Sequence, residues 1–403
     1  MTLKSENKWL ALAWCAIAVI MPLTTWFSAT AIAPELSTEF NLTSGQQAWL
    51  INAVQIGFVA GALTSSLFLL ADIWPSLRVM ALASLAGGAA NLLIVTAPGI
   101  DFLLAARFAT GVALAMIYPV ALKFISTWFR TGRGLAMGTM VGALTLGSAV
   151  PHYLRTLDGE TDWKLVIFLS SAACVVAALI FEFILREGPH EFPRMKVDLK
   201  QFGAIFRNRS VMLANLGYFG HMWELYAMWG WILAYAAAAK ASGVELGNVS
   251  VLAFAVIALG SPSCILAGWL ADRIGRSATT IIAMTLSGLS ALAIGFAFDG
   301  PAWLFVLVAC FWGFTVVADS AQFSAAVSEL ADPNYVGSAL TFQMSVGFAI
   351  TMFTVWLVPQ LAQWLESWRW TFVILALGPL VGVSAMLMLR SRPDATNMAG
   401  GLR

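Results

Sequence analysis

The nine residues Gly268-Trp269-Leu270-Ala271-Asp272-Arg273-Ile274-Gly275-Arg276 form a short charged stretch between two long apolar ones. Gly275 permits a tight turn, and Arg273 and Arg276 stay in water. Asp272 could accept backbone N–H groups at the start of a neighbouring helix. This arrangement is typical of two membrane-spanning helices that are joined by a short loop, so it directs the interpretation of the whole chain.

The composition indicates a membrane protein. Of the 403 residues, 60% are hydrophobic and only 11% are charged, which is more apolar side chain than one soluble core could bury. The formal net charge of +1 gives no indication of a nucleic-acid partner or an acidic ligand. The four cysteines lie singly in apolar stretches, so we predict no metal site, no disulfide framework and no cofactor.

The apolar stretches have the length of membrane spans. A helix needs about 20 apolar residues to cross about 30 Å of hydrocarbon, where lipid offers no hydrogen bonds to the backbone. This criterion predicts an all-α integral membrane protein with twelve transmembrane helices, near residues 9–33, 46–70, 79–97, 101–125, 134–157, 164–186, 211–238, 248–270, 277–298, 302–327, 338–361 and 368–389.

The basic residues predict the orientation. Most of the 22 Lys and Arg residues lie in the N-terminal segment and in every second polar segment after it, so they share one side of the membrane. Lys and Arg residues concentrate on the cytoplasmic side. We therefore predict that both termini are cytoplasmic. The first apolar run is too long for a signal peptide and is interpreted as a retained helix. Short loops and the lack of an organelle signal favour a bacterial inner membrane.

A polar segment divides the chain into two halves of six helices. We predict an N-terminal bundle at 1–186, a cytoplasmic linker at 187–210 and a C-terminal bundle at 211–403. Short stretches recur between the halves: Leu-Ala-Asp at 70–72 and again at 270–272. Parallel repeats of this kind are one of the architectures of secondary transporters.

The 268–276 stretch resembles the G-x-L-A-D-R-x-G-R loop of the major facilitator superfamily, and the six-plus-six layout extends the resemblance over nearly the whole chain. The resemblance implies two pseudosymmetric bundles and a transport function. It also implies that one set of residues latches the cytoplasmic face: Asp72, Asp272, Arg273, Gly275 and Arg276. We expect Asp272 near the start of helix five and Asp72 near the start of helix eleven, although Pro75 stands where the family usually has Gly.

Two further comparisons with the family concern helices four and five. Arg107 in Arg107-Phe-Ala-Thr-Gly111 resembles an R-x-x-x-G motif that is linked to proton coupling in some members. The alternative is an arginine that ties helix four to a neighbour. Drug antiporters commonly have Gly-Pro-x-x-Gly-Gly where this chain has Gly147 to His152, which weakens a drug-efflux function. Nitrate porters are expected to carry arginines within helices two and eight. These spans have none, so nitrate is disfavoured as the solute.

Helix seven carries the strongest candidates for coupling. Its run from Asn215 to Trp231 is too polar and aromatic for a helix that faces lipid. At about 100° per residue, one face carries Tyr218, His221, Glu224, Met228 and Trp231. We predict that Glu224 carries the proton and that His221 shares or relays it. The alternative is that both only form hydrogen bonds within the bundle.

Other polar residues within spans complete the predicted site. Asp319 on helix ten is a second titrating candidate or a packing contact, and Arg107 is predicted to pair with Glu224 during the cycle. Candidates for substrate binding are Tyr218, Trp231, Gln322, Ser148, His152, Arg155, Asn52, Gln55 and Gln343. For the stripe on helix five, Ser148 to Arg155, lining of hydrated protein is an equal alternative.

These features favour a secondary active transporter over other classes. We predict proton-coupled, alternating-access transport of a small polar or anionic solute by a monomer in the lipid bilayer. The alternative is proton-antiport efflux of an amphipathic compound. A membrane-embedded enzyme is disfavoured because no nucleophile elbow, metal-spaced cluster or phosphate-binding loop occurs in the sequence. A sensor is disfavoured because no soluble domain is appended.

Overall fold

The structure is a computed structural model that describes residues 7–68, 74–129, 132–157, 162–190, 202–332 and 335–403. Most of these residues are helical, and no β-strand occurs among them. The predicted all-α membrane fold is confirmed.

Twelve long helices lie in the described parts of the chain. Five of them combine two helical segments or a helix with a 3₁₀ turn. They are α1 (Lys8–Ala31), α2 (Ser44–Phe68), α3 (Ser76–Thr96), α4 (Ile100–Ser126), α5 (Arg133–Leu154), α6 (Trp163–Phe183), α7 (Arg209–Ala241), α8 (Val249–Ile274), α9 (Arg276–Ala297), α10 (Ala302–Leu330), α11 (Val336–Trp364) and α12 (Thr371–Arg390). Short helices at Ala33–Phe40 and Phe202–Arg207 precede α2 and α7.

Eleven of these helices are long and apolar enough to cross a membrane, judged on the described residues. The exception is α7, although it has 33 residues and is the longest of the twelve. Its polar and aromatic run lowers its mean hydropathy. Most of α7 is nevertheless buried, so protein rather than lipid surrounds its polar side chains.

The chain forms two compact units, Met1–Arg194 with α1 to α6 and Met195–Arg403 with α7 to α12. In the N-terminal unit, the most extensive helix contacts are α2 with α4, α1 with α5 and α3 with α6. In the C-terminal unit they are α7 with α12, α7 with α11 and α9 with α12. The helix α7 is therefore central to its unit.

Glycines mark equivalent helix crossings in the two units. A Cβ at Gly111 of α4 would collide with the Val54 carbonyl of α2, and a Cβ at Gly313 of α10 would collide with the Val256 carbonyl of α8. Gly147 and Gly347 likewise lie against α1 and α7. Small residues allow helix backbones to approach closely in membranes, and their repetition about 200 residues apart supports the predicted pseudosymmetry of the bundles.

An asparagine side chain caps the first helix of each unit. Asn7 Oδ1 accepts the backbone N–H of Trp9 at the start of α1, and Asn208 Oδ1 accepts those of Ser210 and Val211 at the start of α7. Such caps satisfy backbone donors that have no partner within the helix. They give the first helix of each unit a defined beginning.

The close contact of Gly313 with α8 predicts that the loss of stability on replacing a glycine by alanine depends strongly on its position. Gly313→Ala forces a methyl group against the Val256 carbonyl and should destabilise the protein by about 1 to 3 kcal/mol. The measurement is thermal unfolding of the purified protein in detergent, followed by fluorescence.

Gly45→Ala is the matched control. A Cβ at Gly45, in the first turns of α2, would meet no atom within 4 Å. The substitution should therefore leave the melting temperature unchanged or raise it, because alanine is the better helix former. Equal melting temperatures for the two variants would contradict the close α8–α10 contact.

Candidate functional site

Glu224 lies in the interior of the C-terminal unit, in the middle of α7. Its side chain is 2% exposed. Glu224 Oε1 accepts the Ser287 hydroxyl of α9 at 2.7 Å and the Trp312 indole N–H of α10 at 2.6 Å. Both donors come from other helices, so the carboxyl group joins α7 to α9 and α10.

His221 and Asp319 form the second titratable pair of this unit. His221 Nδ1 lies 2.9 Å from Asp319 Oδ1, and both residues are 2% exposed. This is an ion-pair distance, although Asp319 Oδ1 makes no hydrogen bond with a described residue. Asp319 lies just before the second segment of α10, Ser320–Leu330, where the helix is interrupted. The other imidazole nitrogen, Nε2, is buried and has no hydrogen-bond partner among the described residues.

Aromatic rings surround the imidazole. Its centroid lies 6.1 Å from that of Tyr218 and 5.7 Å from that of Phe323. Tyr218 also lies against Gly347 of α11. The Trp231 indole N–H donates to the Val355 carbonyl at 2.9 Å, so the polar atom of this predicted substrate contact is already bound to backbone.

Two amide side chains of the same unit keep polar atoms without a partner. Gln343 Oε1 accepts the Ser324 hydroxyl at 3.1 Å, but Gln343 Nε2 has no partner within the described chain. Asn215 is fully buried, and neither its oxygen nor its nitrogen is hydrogen-bonded to a described residue. The sequence prediction did not include Asn215 as a site residue, although it begins the polar run of α7 and lies one turn before Tyr218.

Gln322 binds the arginine of the 268–276 loop, and its predicted role in substrate binding stays a prediction. Its Oε1 accepts Arg276 Nη1 at 2.9 Å. The same guanidinium donates to both oxygens of Glu329, at 2.7 and 2.6 Å. Gln322 thus helps to hold the arginine of the 268–276 loop, and the sequence prediction missed Glu329 because it named no carboxylate partner for that loop.

The loop itself has the turn that its glycine predicts. Gly275 has a φ of 93°, and residues 402–403 lie so close that a Cβ would collide with their carbonyl groups. The backbone N–H of Ala399 donates to Glu329 Oε2 at 3.1 Å. Residues 393–403 therefore pack onto the same end of the C-terminal unit as the loop.

The other two charged residues of the loop are exposed. Asp272 and Arg273 lie on the surface, and the Arg273 guanidinium lies 3.8 Å from the centroid of the Trp269 ring. Asp72, its predicted counterpart in the first half, lies outside the described residues. The predicted contact of Asp272 with helix five stays a prediction.

An exposed carboxylate stabilises the start of α7. Asp394 accepts the Ser210 hydroxyl at 2.8 Å and Arg392 Nη2 at 3.2 Å. The Ser210 hydrogen bond, followed by that of Arg392, holds the pKa of Asp394 below its usual range. These contacts are therefore retained at neutral pH and are lost only as the pH falls through the lowered pKa of Asp394.

Arg107 joins three helices of the N-terminal unit. It is fully buried on α4 and donates hydrogen bonds to neutral oxygens only, as far as the described residues show. Its acceptors are the Leu50 carbonyl of α2 at 3.1 Å and, on α1, the Thr25 carbonyl at 2.7 Å, the Ser28 hydroxyl at 3.4 Å and the Trp26 carbonyl. This geometry corresponds to the alternative role, an arginine that ties helix four to its neighbours.

A chain of hydrogen bonds extends from Arg107 across the unit. The Ser28 hydroxyl donates to Asn91 Oδ1 of α3 at 2.6 Å, and Asn91 Nδ2 donates to the Ser171 hydroxyl of α6 at 3.0 Å. The network thus reaches α1, α2, α3, α4 and α6. Asn91 and Ser171 were not predicted, because nothing in the sequence indicates which polar residues of different helices meet.

The other predicted residues of the N-terminal unit are buried but dispersed. Arg155 pairs with Glu35 Oε1 at the end of the unit that carries the α1–α2 connection, so its charge is already balanced by a protein carboxylate. Ser148 and Asn52 are buried. Gln55 and His152 are fully buried, and their side-chain polar atoms have no hydrogen-bond partner in the described parts of the chain.

The family assignment follows from a match over nearly the whole chain. The model described as Major Facilitator Superfamily matches residues 14–348 and 215–400. The chain belongs to the Major Facilitator Superfamily. The resemblance that the 268–276 loop carries is therefore confirmed.

Two relatives of this major facilitator are transporters by name. The chain is 22% identical to the probable sulfoacetate transporter SauU of Cupriavidus necator over 60% of each chain, so the match spans about 60% of the length of that relative. It is 23% identical to the niacin transporter NiaP of Acinetobacter baylyi over 67% of each chain. A solved bacterial homologue of the human lysosomal transporter Spinster matches 96% of this chain and 97% of its own, with a TM-score of 0.69 and 14% identity, which shows a shared fold.

In this major facilitator, Arg107 and Glu224 each have partners in their own unit. Arg107 donates to oxygens of α1 and α2, and Glu224 accepts from α9 and α10. The predicted pairing of the two residues stays a prediction.

Because Arg107 connects three helices, we predict that a positive charge alone at this position does not maintain the stability of the protein. Arg107→Lys keeps the charge but cannot reach α1 and α2 together, because lysine lacks the planar, forked guanidinium. We expect a loss of about 3 kcal/mol of stability, measured by thermal unfolding in detergent, since buried carbonyl groups lose their donors.

Arg78→Lys serves as the control for this substitution. Arg78 is 59% exposed and lies 3.4 Å from Glu182, so lysine should change the stability by less than about 0.5 kcal/mol. An Arg107→Lys variant that melts like Arg78→Lys would contradict the connecting role.

Proposed function

We propose that this chain is a secondary active transporter that moves a small polar or anionic solute by alternating access, coupled to protons. One observation carries the proposal. His221, Glu224 and Asp319 are titratable, almost fully buried, and lie on membrane-length helices of one unit. Ionisable groups within a membrane are costly and are generally retained for function.

Each of these groups has a partner that could respond to a proton. Glu224 accepts two hydrogen bonds through one oxygen, and His221 faces Asp319 at 2.9 Å. Adding or removing a proton on either carboxyl group would change the contacts of α7 with α9 and α10. Because α7 is central to its unit, such a change supports coupling between protonation and helix packing.

The solute class is supported by the chemistry of the relatives' named substrates. Sulfoacetate carries a sulfonate and a carboxylate, and niacin carries a carboxylate. The buried imidazole of His221, whose Nε2 has no partner among the described residues, fits a negatively charged solute when it is protonated. We propose a small organic anion as the solute of this chain.

The setting of the transporter is part of the proposal. We propose a monomer in a bacterial plasma membrane, with both termini in the cytoplasm and a cytoplasmic linker at 187–210 between two six-helix bundles. The basic residues support this orientation. We further propose that Asp72, Asp272, Arg273, Gly275 and Arg276 act in gating on the cytoplasmic side.

The proposal predicts solute-driven proton movement. Purified protein is reconstituted into liposomes that enclose a pH indicator, and sulfoacetate or nicotinate is added outside. Entry of solute together with protons should acidify the lumen. Glu224→Gln should reduce this proton flux to the level of empty liposomes while solute exchange, which needs no net proton movement, continues.

Glu245→Gln is the matched control, because it makes the same carboxyl-to-amide change in an exposed loop. It should acidify the lumen like wild type. Alkalinisation of the lumen would instead support proton antiport and efflux. An unchanged flux and pH dependence in Glu224→Gln would refute the role of Glu224 as proton carrier.

A further inference from the structure

We propose that His221 binds the carboxylate of the solute through Nε2, and that this bond forms only when the imidazole is protonated. The inference rests on the proposed function and deepens it, because it assigns the solute and the proton to one side chain. The supporting observation is geometric. Nδ1 lies 2.9 Å from Asp319 Oδ1, whereas Nε2 on the opposite side of the ring is buried and unpartnered within the described chain.

The two states of the imidazole differ in what Nε2 can bind. When the ring is neutral, the carboxylate of Asp319 favours the single proton on Nδ1, so Nε2 presents a lone pair. A lone pair repels a carboxylate and accepts an amide N–H. When the ring is protonated, Nε2 presents an N–H that donates to a carboxylate, and the cation lies between two anions. Anion and proton would therefore bind together.

The charged and titratable groups near His221 are few among the described residues. Asp319 faces it from α10, Tyr218 lies one turn before it on α7, and Glu224 lies one turn after it. Arg276, at the start of α9, is bound by Gln322 and Glu329 of α10. From α11 the neutral Gln343 approaches the same cluster through Ser324. Asp319 is thus the group that balances the cation.

The surroundings of the ring fit a small organic acid. Tyr218 and Phe323 present aromatic faces beside the imidazole, which suits a flat or apolar solute body. Gln343 of α11 keeps its amide nitrogen without a partner in the described chain. Such a donor would serve a further acceptor atom of the solute.

The test compares an acid with its amide. Binding of nicotinate and nicotinamide to the purified protein is followed by tryptophan fluorescence at about pH 5.5 and about pH 8. Nicotinate affinity should fall at least about tenfold between these values, because each bound nicotinate is proposed to take up one proton and a fully coupled proton changes the affinity about tenfold for each unit of pH. Nicotinamide affinity should stay constant or rise.

His221→Gln separates a binding role from a packing role. Its amide keeps an N–H donor that does not titrate, so nicotinate should still bind, more weakly, with the pH dependence abolished. Asp319→Asn should lower nicotinate affinity at the lower pH, because the cation loses its balancing charge. His190→Gln changes a histidine outside the spans and should retain the pH dependence of wild type.

Two results would overturn the inference. One is an unchanged pH dependence in His221→Gln, and the other is wild-type protein that binds no nicotinate at either pH. The first result leaves the proposed transport function intact if solute still drives proton flux into liposomes. Loss of solute-driven flux in wild type would instead refute the proposed function itself.

Discussion

The structure depends on the requirement that polar groups inside a membrane find partners within the protein. Lipid supplies no hydrogen bonds, so every buried charge must be balanced by its own bundle. Arg107 meets this requirement with carbonyl groups of α1 and a carbonyl group of α2, and Glu224 meets it with a serine and a tryptophan. The same contacts that satisfy these side chains also join helices that are distant in sequence.

The two units satisfy this requirement with different polar side chains, although their helices pack in a similar way. Their glycine crossings are equivalent, as Gly111 against α2 and Gly313 against α8 illustrate. The polar interior is not equivalent. In the N-terminal unit a permanently charged guanidinium leads into a network of serine and asparagine, none of which titrates near neutral pH. The N-terminal unit buries one imidazole, that of His152, whereas the C-terminal unit buries two carboxyl groups, of Glu224 and Asp319, as well as the imidazole of His221, and such groups titrate in proteins over accessible pH values. This difference favours the C-terminal unit as the place where protons act.

Much of the fold could be predicted from the sequence, because membrane spans are specified by length and hydropathy within one segment. The predicted helices agree with the observed ones to within several residues, as 9–33 against Lys8–Ala31 shows. Partners across helices could not be predicted in this way. Gln322 seemed a substrate ligand by its position on helix ten, yet it binds Arg276, since the register between α9 and α10 determines which residues meet. Asn215 was overlooked because the sequence does not show which polar atoms of α7 have no partner in the fold.

Unpartnered polar atoms provide a more discriminating criterion for function than burial alone. Glu224 and His221 are equally buried, but two donors already satisfy one oxygen of Glu224, whereas Nε2 of His221 has no donor or acceptor among the described residues. A buried polar atom without a partner costs free energy, so it marks a place where a ligand or a water molecule can bind. A proton carrier and a solute ligand therefore need not be the same residue. A proton on the carboxyl group of Glu224 would change its contacts with α9 and α10, whereas an imidazole with one unpartnered nitrogen can make its own proton a condition for binding an anion.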